Sequence, residues 1–386
     1  MSVHDLSAGG DVMDRVTGCA REALRAHGCH PDASVELLNV SENATFLVVD
    51  PDAGPSVLRV HRLGYHTEQE IASELAWMDA LRAEAGVRTP RVLAAPDGRR
   101  VVTVAERAGQ ATVRPARHCV RFEFLPGTEP GAEPGGRLTG RHFEELGEIT
   151  AAMHRHARGW ARPEWFVRFQ WDHAAAFGDQ ARWGRWQDGV GVGPAERRVL
   201  ARLDDMLRAR LTAFGQGPER YGLVHADTRL ANLLVHDGSV SVIDFDDCGF
   251  SWYLYDLGTS VSFFEHSPEV PALVDSWLTG YRRAAELSAE DEAEIWTFIM
   301  FRRLLLLAWI GSHQGVDIAV ELGAGYTQGS CELAEAYLTT HLPSRSSHVH
   351  IDRRPRRGGN RRQPRYRQGD RQRVRPQRRA GPDHRP

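Results

Sequence analysis

The sequence predicts an α+β protein in which a small antiparallel sheet precedes a larger, mainly helical part. Three observations carry the prediction. Short runs rich in Val, Leu, Phe and Thr at 35–40, 45–50 and 57–62 are separated by the turns SENA and PDAGP, as expected of three antiparallel strands. From residue 141 onward, apolar residues recur every three or four positions in long segments, the pattern of helices that bury one face. Between the helical segments, strand-like runs at 233–235 and 240–244 flank HDGS, whose Asp-Gly pair favours a tight hairpin turn.

Taken in order, a helix is expected around Val12 to Ala26, closed by the Gly/Pro-containing break HGCHPDAS. After the three strands, Thr67 and Glu70 form a Ser/Thr-x-x-Glu capping box, and Ile71, Leu75 and Met78 continue a helix with one apolar face. The segments VRTPRVL (87–93), strand-like RRVVTVAE (99–106) and HCVRFEFLPG (118–127), a strand running into a Pro-Gly turn, complete the sheet-bearing part. Phe143, Leu146, Ile149 and Met153 place the helix at 141–156 on the core. His154 and His156 at its end suit the negative pole of the helix dipole better than a metal. Helices are further expected at 270–286, at 289–312 with Ser288 as cap and Asp291 at the third position, and at 328–340. The run LLLLAWI (304–310) is too short to span a bilayer and reads as buried helix.

Chemistry concentrates at 221–256. Asp227 stands five residues before Asn232 in a loop between apolar runs, and the hairpin that follows would return Asp244 beside them. Phosphoryl transfer needs a carboxylate to orient the attacking hydroxyl and hard oxygen ligands for magnesium. Asp227 can supply the first, and Asn232 and Asp244 the second.

At these residues the sequence resembles the aminoglycoside phosphotransferase and choline kinase-like superfamily, with HADTRLAN matching its His-x-Asp-x-x-x-x-Asn loop and IDFDD its metal motif. The resemblance covers roughly residues 35–340 and implies a two-lobed protein kinase-like fold with ATP between the lobes. It implies Asp227 as catalytic base, Asn232 and Asp244 as Mg2+ ligands, His225 as support for the loop, and Asp246 as a further carboxylate, either behind the metal or on a second metal. Asp256 in YDLG would be a structural anchor. On the nucleotide side, SENATF would take the place of a glycine-rich loop, although it lacks the glycines, with Asn43 nearest the nucleotide. Arg59 stands where protein kinases carry a phosphate-anchoring lysine. It would pair with Glu74 of the following helix, Glu70 being better explained as a cap. Glu123, Phe124 and Leu125 would form the hinge that offers backbone groups to adenine.

The implied organisation is a helical extension (1–34), a nucleotide-binding lobe (35–126), a helical lobe with the catalytic loop and acceptor pocket (127–342), and a disordered tail (343–386). The tail carries most of the charge asymmetry. All 48 basic residues are arginine, and 15 of them lie in 344–386, giving that segment a charge of +12 against −15 for the rest. Such a tail could neutralise nucleic-acid phosphates, although an extension without function explains its composition as readily. Five tryptophans at 160–186, with Asp172, Asp179 and Asp188, could face a cationic or sugar-like acceptor, but aromatic rings mostly pack in cores. Five scattered cysteines form no metal or disulfide pattern and, with no visible secretion signal, fit a cytoplasmic protein. The expected activity is ATP- and Mg2+-dependent phosphorylation of a small-molecule hydroxyl on an aminoglycoside, homoserine, choline or sugar-like acceptor. The alternatives are a Ser/Thr protein kinase of the stress-response type and a non-catalytic nucleotide-binding regulator.

Overall fold

The computed structural model describes residues 10–40, 42–106, 115–132 and 137–341. The Arg-rich tail and Ser41 of the first hairpin lie outside them. Strands β1 (Ser34–Val40), β2 (Ala44–Asp50), β3 (Gly54–Val60), β4 (Val102–Ala105) and β5 (Ala116–Glu123) form one antiparallel sheet in the order β1-β2-β3-β5-β4. Side-chain alternation decides its two faces. Phe46 and Val48 of β2 and Leu58 and Val60 of β3 share one face. Helix α1 (Gly10–Ala26) covers it with Val16, Ala20, Ala23 and Leu24. Residues 10–26 are therefore no appendage: without them this apolar face would meet water. The opposite face sets Val120 and Phe122 against Ile71, Leu75 and Met78 of α2 (Glu68–Glu84), whose Thr67–Glu70 capping box is formed on both sides. The segment at 87–93 adds only a bridge from Val92 to Phe122, since Pro90 has no N–H for a ladder.

Just beyond α1, His27 is buried and neither ring nitrogen has a hydrogen-bond partner. Burial, reinforced by Arg121 and Arg99, pushes its pKa down to about 4. In the unfolded chain a histidine titrates near ~6.5. Between those values the unfolded state binds more protons, so stability falls as pH drops, by up to about 1.4 kcal/mol per pH unit. His27→Leu should flatten the decline of Tm between about pH 6.5 and 4 and raise stability at the acid end. An unchanged slope in thermal melts would count against this.

The helical part is built from α3 (Gly140–Gly159), α4 (Pro194–Phe214), α5 (Leu254–Ser260), α6 (Val270–Tyr281), α7 (Ile295–Ser312) and α8 (Asp317–His341). Helix α7 is buried on nearly every side. Among the described residues it alone is long and apolar enough to cross a membrane, but most of it is enclosed in the helical core. The region expected as one helix at 289–312 divides into a capped turn, Ala289–Glu292, and α7. Helical residues begin at Asp317, eleven before the expected start, and a non-helical Gly323 (φ 43°, ψ −140°) divides them into two helical segments. Helices α3 and α6 cross in near-contact at two glycines. A Cβ on Gly280 would lie 1.7 Å from the Glu144 carbonyl oxygen, and one on Gly147 2.0 Å from that of Trp277. Gly280→Ala should therefore cost about 2 kcal/mol or more, read as a lower urea midpoint at unchanged m-value.

Of the crowded tryptophans, Trp171, Trp183 and Trp186 are buried in the core, whereas Trp165 is half exposed. Asp172 accepts from the Ala175 N–H and caps a short helix, His173–Phe177. Two small sheets complete the frame: β6 (Tyr221–Val224) pairs with β9 (Gly249–Trp252), and β7 (Leu233–His236) with β8 (Ser239–Val242). At the tip of the second, Asp237 and Gly238 take φ of 49° and 74°, the left-handed pair that a two-residue turn of this kind requires.

Candidate active site

The loop between β6 and β7 is held by Asp256 at the start of α5. Its carboxylate accepts the N–H groups of His225 (3.1 Å) and Ala226 (2.7 Å) and the ring N–H of His154 (2.9 Å). His154, expected to serve the end of its helix, is instead fully buried between Asp256 and the Tyr281 hydroxyl, and burial lowers its pKa. Ala226 is left-handed (φ 66°), a strained conformation for a residue with a Cβ, and the Asp256 carboxylate holds its N–H and the one before it. His225 accepts the Asp227 N–H at Nδ1 and donates from Nε2 to the Ile243 carbonyl (3.2 Å each), tying the loop to the far end of the hairpin. Burial keeps the His225 pKa low, in accord with a neutral ring making one bond of each kind.

Asp227 follows with both oxygens engaged. Arg302 of α7 donates to Oδ1 at 2.5 Å, while Arg229 (3.2 Å) and the Asn232 amide (2.7 Å) donate to Oδ2. Burial alone would raise its pKa, but Arg302 and Arg229 outweigh it and hold the carboxyl below the usual range. The group is an ionised acceptor suited to orienting a hydroxyl. Because the Asn232 amide nitrogen is spent on the Asp227 carboxylate and main-chain carbonyl, its oxygen is left as a ligand donor.

The hairpin ends at Val242, and Asp244 leaves it in a left-handed conformation (φ 61°, ψ 67°), its side chain about two-fifths exposed to the cleft. Burial of the site, with Asp246, Glu74 and Asp227 adding to it against Arg59, pushes its pKa up to about 7. Asp246 lies deeper. It receives the Asn43 amide (2.8 Å), with His66 Nε2 at 3.2 Å, His61 Nδ1 at 3.6 Å and Arg59 at 3.8 Å. Burial opposes its ionisation, but His66 and Arg59 hold it well below the carboxylate range. Its Oδ1 is buried without a hydrogen bond. This set of hard oxygens, with a carboxylate oxygen free of hydrogen bonds behind it, fits a divalent cation such as Mg2+ better than a softer metal.

Arg59 lies on β3, inside the sheet; its Nη2 donates to both oxygens of Glu74 (2.7 and 2.6 Å) and its Nη1 to Asp244 (3.1 Å). This brings together three residues that the sequence places far apart. Beside them a cavity of about 360 Å3 opens between the sheet and the helical part, lined by Val57, Met78, Phe122, Leu234, Ile243 and the stretch 123–125 among others. Glu123, Phe124 and Leu125 all border it, as do Arg59, Glu74, Asn232 and Asp244. Asn43 does not. Both ends of its amide are taken, by Asp246 and by the Arg62 N–H (3.1 Å), so it braces the carboxylate cluster and does not meet the cavity. The neighbouring Glu42 accepts from the Trp309 indole (2.5 Å), with His313 Nε2 at 3.4 Å.

Several residues of this centre escape a reading by motif. Arg302 is one; the signal for it is an arginine pair inside an otherwise apolar helix, since a buried guanidinium must meet a carboxylate. Asp247 is another: it accepts from the Tyr65 hydroxyl (2.8 Å), and burial, with Glu42, Asp246 and Asp227 nearby, pushes its carboxyl well above the usual range. Arg168 is a third. It donates to the carbonyls of Cys248 (2.5 Å), Asp246 and Glu70 (3.0 Å), fixing the metal motif to α2.

A sheet lobe and a helical lobe with a loop carboxylate, an asparagine and a hairpin aspartate at their junction define a kinase-like phosphotransferase. The chain belongs to the phosphotransferase enzyme family, whose model matches residues 35–294. It is 49% identical to a microcompartment-associated aminopropanol kinase of known structure, over 84% of this chain and 98% of that one, with a TM-score of 0.75. The amicoumacin kinase of Bacillus subtilis (strain 168) is 24% identical over 77% of this chain and 84% of its own. An amicoumacin kinase structure holding AMP-PNP and Ca2+ shares the fold, with a TM-score of 0.68 at 21% identity over 86% of this chain and 96% of that one. The protein is thus a small-molecule kinase that phosphorylates an alcohol group.

Proposed function

We propose that the protein transfers the γ-phosphoryl group of ATP, with Mg2+, to the hydroxyl of a small amino alcohol of the aminopropanol kind. Asp227 carries this reading: its carboxylate is kept ionised beside the cleft, where it can accept a hydrogen bond from an acceptor hydroxyl and aim its oxygen at the phosphorus. Adenine would occupy the apolar cavity, with the main chain of 123–125 along its edge. Arg59, braced by Glu74, would face the phosphates. Asn232, through its amide oxygen, and Asp244 would hold Mg2+, with Asp246 behind them. The metal, when bound, neutralises the negative charge of the β- and γ-phosphates.

Two features favour an amine-bearing acceptor over the other small molecules of the family. One is the likeness to the aminopropanol kinase, far closer than to any antibiotic kinase compared with it above. The other is the crowding of acidic groups at Asp247, where burial together with Glu42, Asp246 and Asp227 pushes its carboxyl up, a crowding that an ammonium group would relieve. The test is Mg2+-dependent ADP release from ATP against aminopropanol, ethanolamine, choline, homoserine, sugars, aminoglycosides and a Ser/Thr protein. Turnover with the amino alcohols that disappears in Asp227→Asn is the expected result. Turnover only with the protein would favour a protein kinase, and ATP binding without turnover on any acceptor would favour a regulator.

A further inference from the structure

The helical core contains two adjacent arginines, Arg302 and Arg303, each with a side chain at most 2% exposed. A buried guanidinium is costly unless every donor is used. Arg303 uses its donors on structure: Glu265 (2.5 Å), the Ser330 hydroxyl (2.7 Å) and the Tyr326 carbonyl (3.2 Å), all remote from the cleft. Arg302 spends its donors differently. It meets Asp227 Oδ1 at 2.5 Å, the carbonyl of the strained Ala226 at 3.4 Å, the Tyr255 hydroxyl at 3.2 Å and the Ser262 hydroxyl at 3.0 Å. Its guanidinium carbon also lies 5.3 Å from the Trp183 ring centroid.

We infer that Arg302 is a positioning residue for phosphoryl transfer: it clamps one oxygen of Asp227 and the preceding carbonyl, leaving the other oxygen to receive the acceptor hydroxyl. The inference rests on the kinase reading above. The two oxygens of Asp227 are held unequally. Oδ1 is held by a guanidinium that is itself fixed by three other oxygens, on a helix with no freedom to move away. Oδ2 is held by the Asn232 amide and by one bond from Arg229, a residue whose side chain is about a fifth exposed at the cleft. An incoming hydroxyl can displace Arg229 from Oδ2 without disturbing the core, whereas displacing Arg302 from Oδ1 would leave a buried cation with no counter-charge. The clamp therefore selects which oxygen faces the acceptor. It also fixes the rotation of the carboxylate about its Cα–Cβ and Cβ–Cγ bonds, which sets the line of attack on phosphorus. Nothing in the His-x-Asp-x-x-x-x-Asn pattern records it, because the residue comes from a helix some seventy-five positions later in the chain.

The test separates positioning from folding. Arg302→Met should lower kcat by about 100-fold or more, with nucleotide affinity and the KM for ATP within a few-fold of the wild type, since Arg302 does not border the nucleotide cavity. Added guanidinium or methylguanidinium at millimolar concentration should restore part of the rate, and Arg302→Lys should retain more rate than Arg302→Met, because a single ammonium can still meet Oδ1. Arg303→Met is the control. It removes an equally buried guanidinium and should lower the Tm while the folded fraction keeps its kcat. Equal kcat losses in the two variants, no rescue by guanidinium in folded Arg302→Met, or a wild-type rate in that variant would each overturn the inference. A wild-type protein inert on every acceptor would bring down the kinase reading itself and this one with it. An active wild type with an indifferent Arg302→Met would bring down this one alone.

Discussion

Asp227→Asn should lose kcat by between about 100- and 10,000-fold while binding ATP as the wild type does. The amide keeps the shape of the side chain but not its charge, and one of its two acceptor sites becomes a donor. The Asn232 amide and Arg229 both donate to Oδ2, and Arg302 donates to Oδ1, so one of these bonds must become a clash of two N–H groups. The same substitution should destabilise the fold, since Arg302 would stay buried without its counter-charge; removing one partner of a buried pair costs about 3–5 kcal/mol. Removing the second partner should then help. Asp227→Asn combined with Arg302→Met should recover much of that stability in urea melts without recovering turnover, because both buried charges are gone together. Additive losses in the double variant would mean the two groups are not energetically coupled. Loss of nucleotide affinity in a folded Asp227→Asn protein would instead place Asp227 in nucleotide binding.

How far the site could be read in advance depended on how local its signals are. Asp227, Asn232 and Asp244 share a stretch of fewer than twenty residues, and the Asp237–Gly238 turn between the last two fixes their return geometry, so sequence spacing nearly determines their meeting. Arg59 and Glu74 were within reach for a different reason. The resemblance places Arg59 at the phosphate-anchoring position, and helical spacing sets Glu74 beside the apolar face of α2, where it turns inward to pair with it. Asn43 shows the limit of placing a residue by loop position. Its amide finds Asp246, some two hundred residues away, and no local pattern announces that bond. Helix α1 shows another limit: the helix was legible, but which surface it covers depends on how the sheet exposes Phe46 and Leu58.

Asp256 is the second residue whose loss should be large, although it touches no reacting atom. Its two oxygens satisfy two consecutive main-chain N–H groups and a buried imidazole. Its main-chain carbonyl also takes the hydroxyls of Thr228 (2.8 Å) and Thr259 (2.9 Å). Asp256→Ala keeps those carbonyl bonds but strands the N–H groups of His225 and Ala226 in a site with no room for bulk water, and leaves His154 with only Tyr281. At about 1–3 kcal/mol for each unsatisfied buried group, the loss should approach or exceed about 4 kcal/mol, a large share of the stability of an ordinary domain. The effect on catalysis follows from the same bonds. Ala226 holds a left-handed conformation only while its own N–H and that of His225 are captured, and relaxing it would swing Asp227 off Arg302 and Asn232. Asp256→Ala should therefore reduce kcat by about 100-fold or more even at temperatures where the protein remains folded. Asp256→Asn should fall between, keeping one acceptor oxygen for the loop and turning an N–H toward the other donors. A folded Asp256→Ala enzyme with near-normal kcat would show that Arg302, from the opposite side, holds the loop without it.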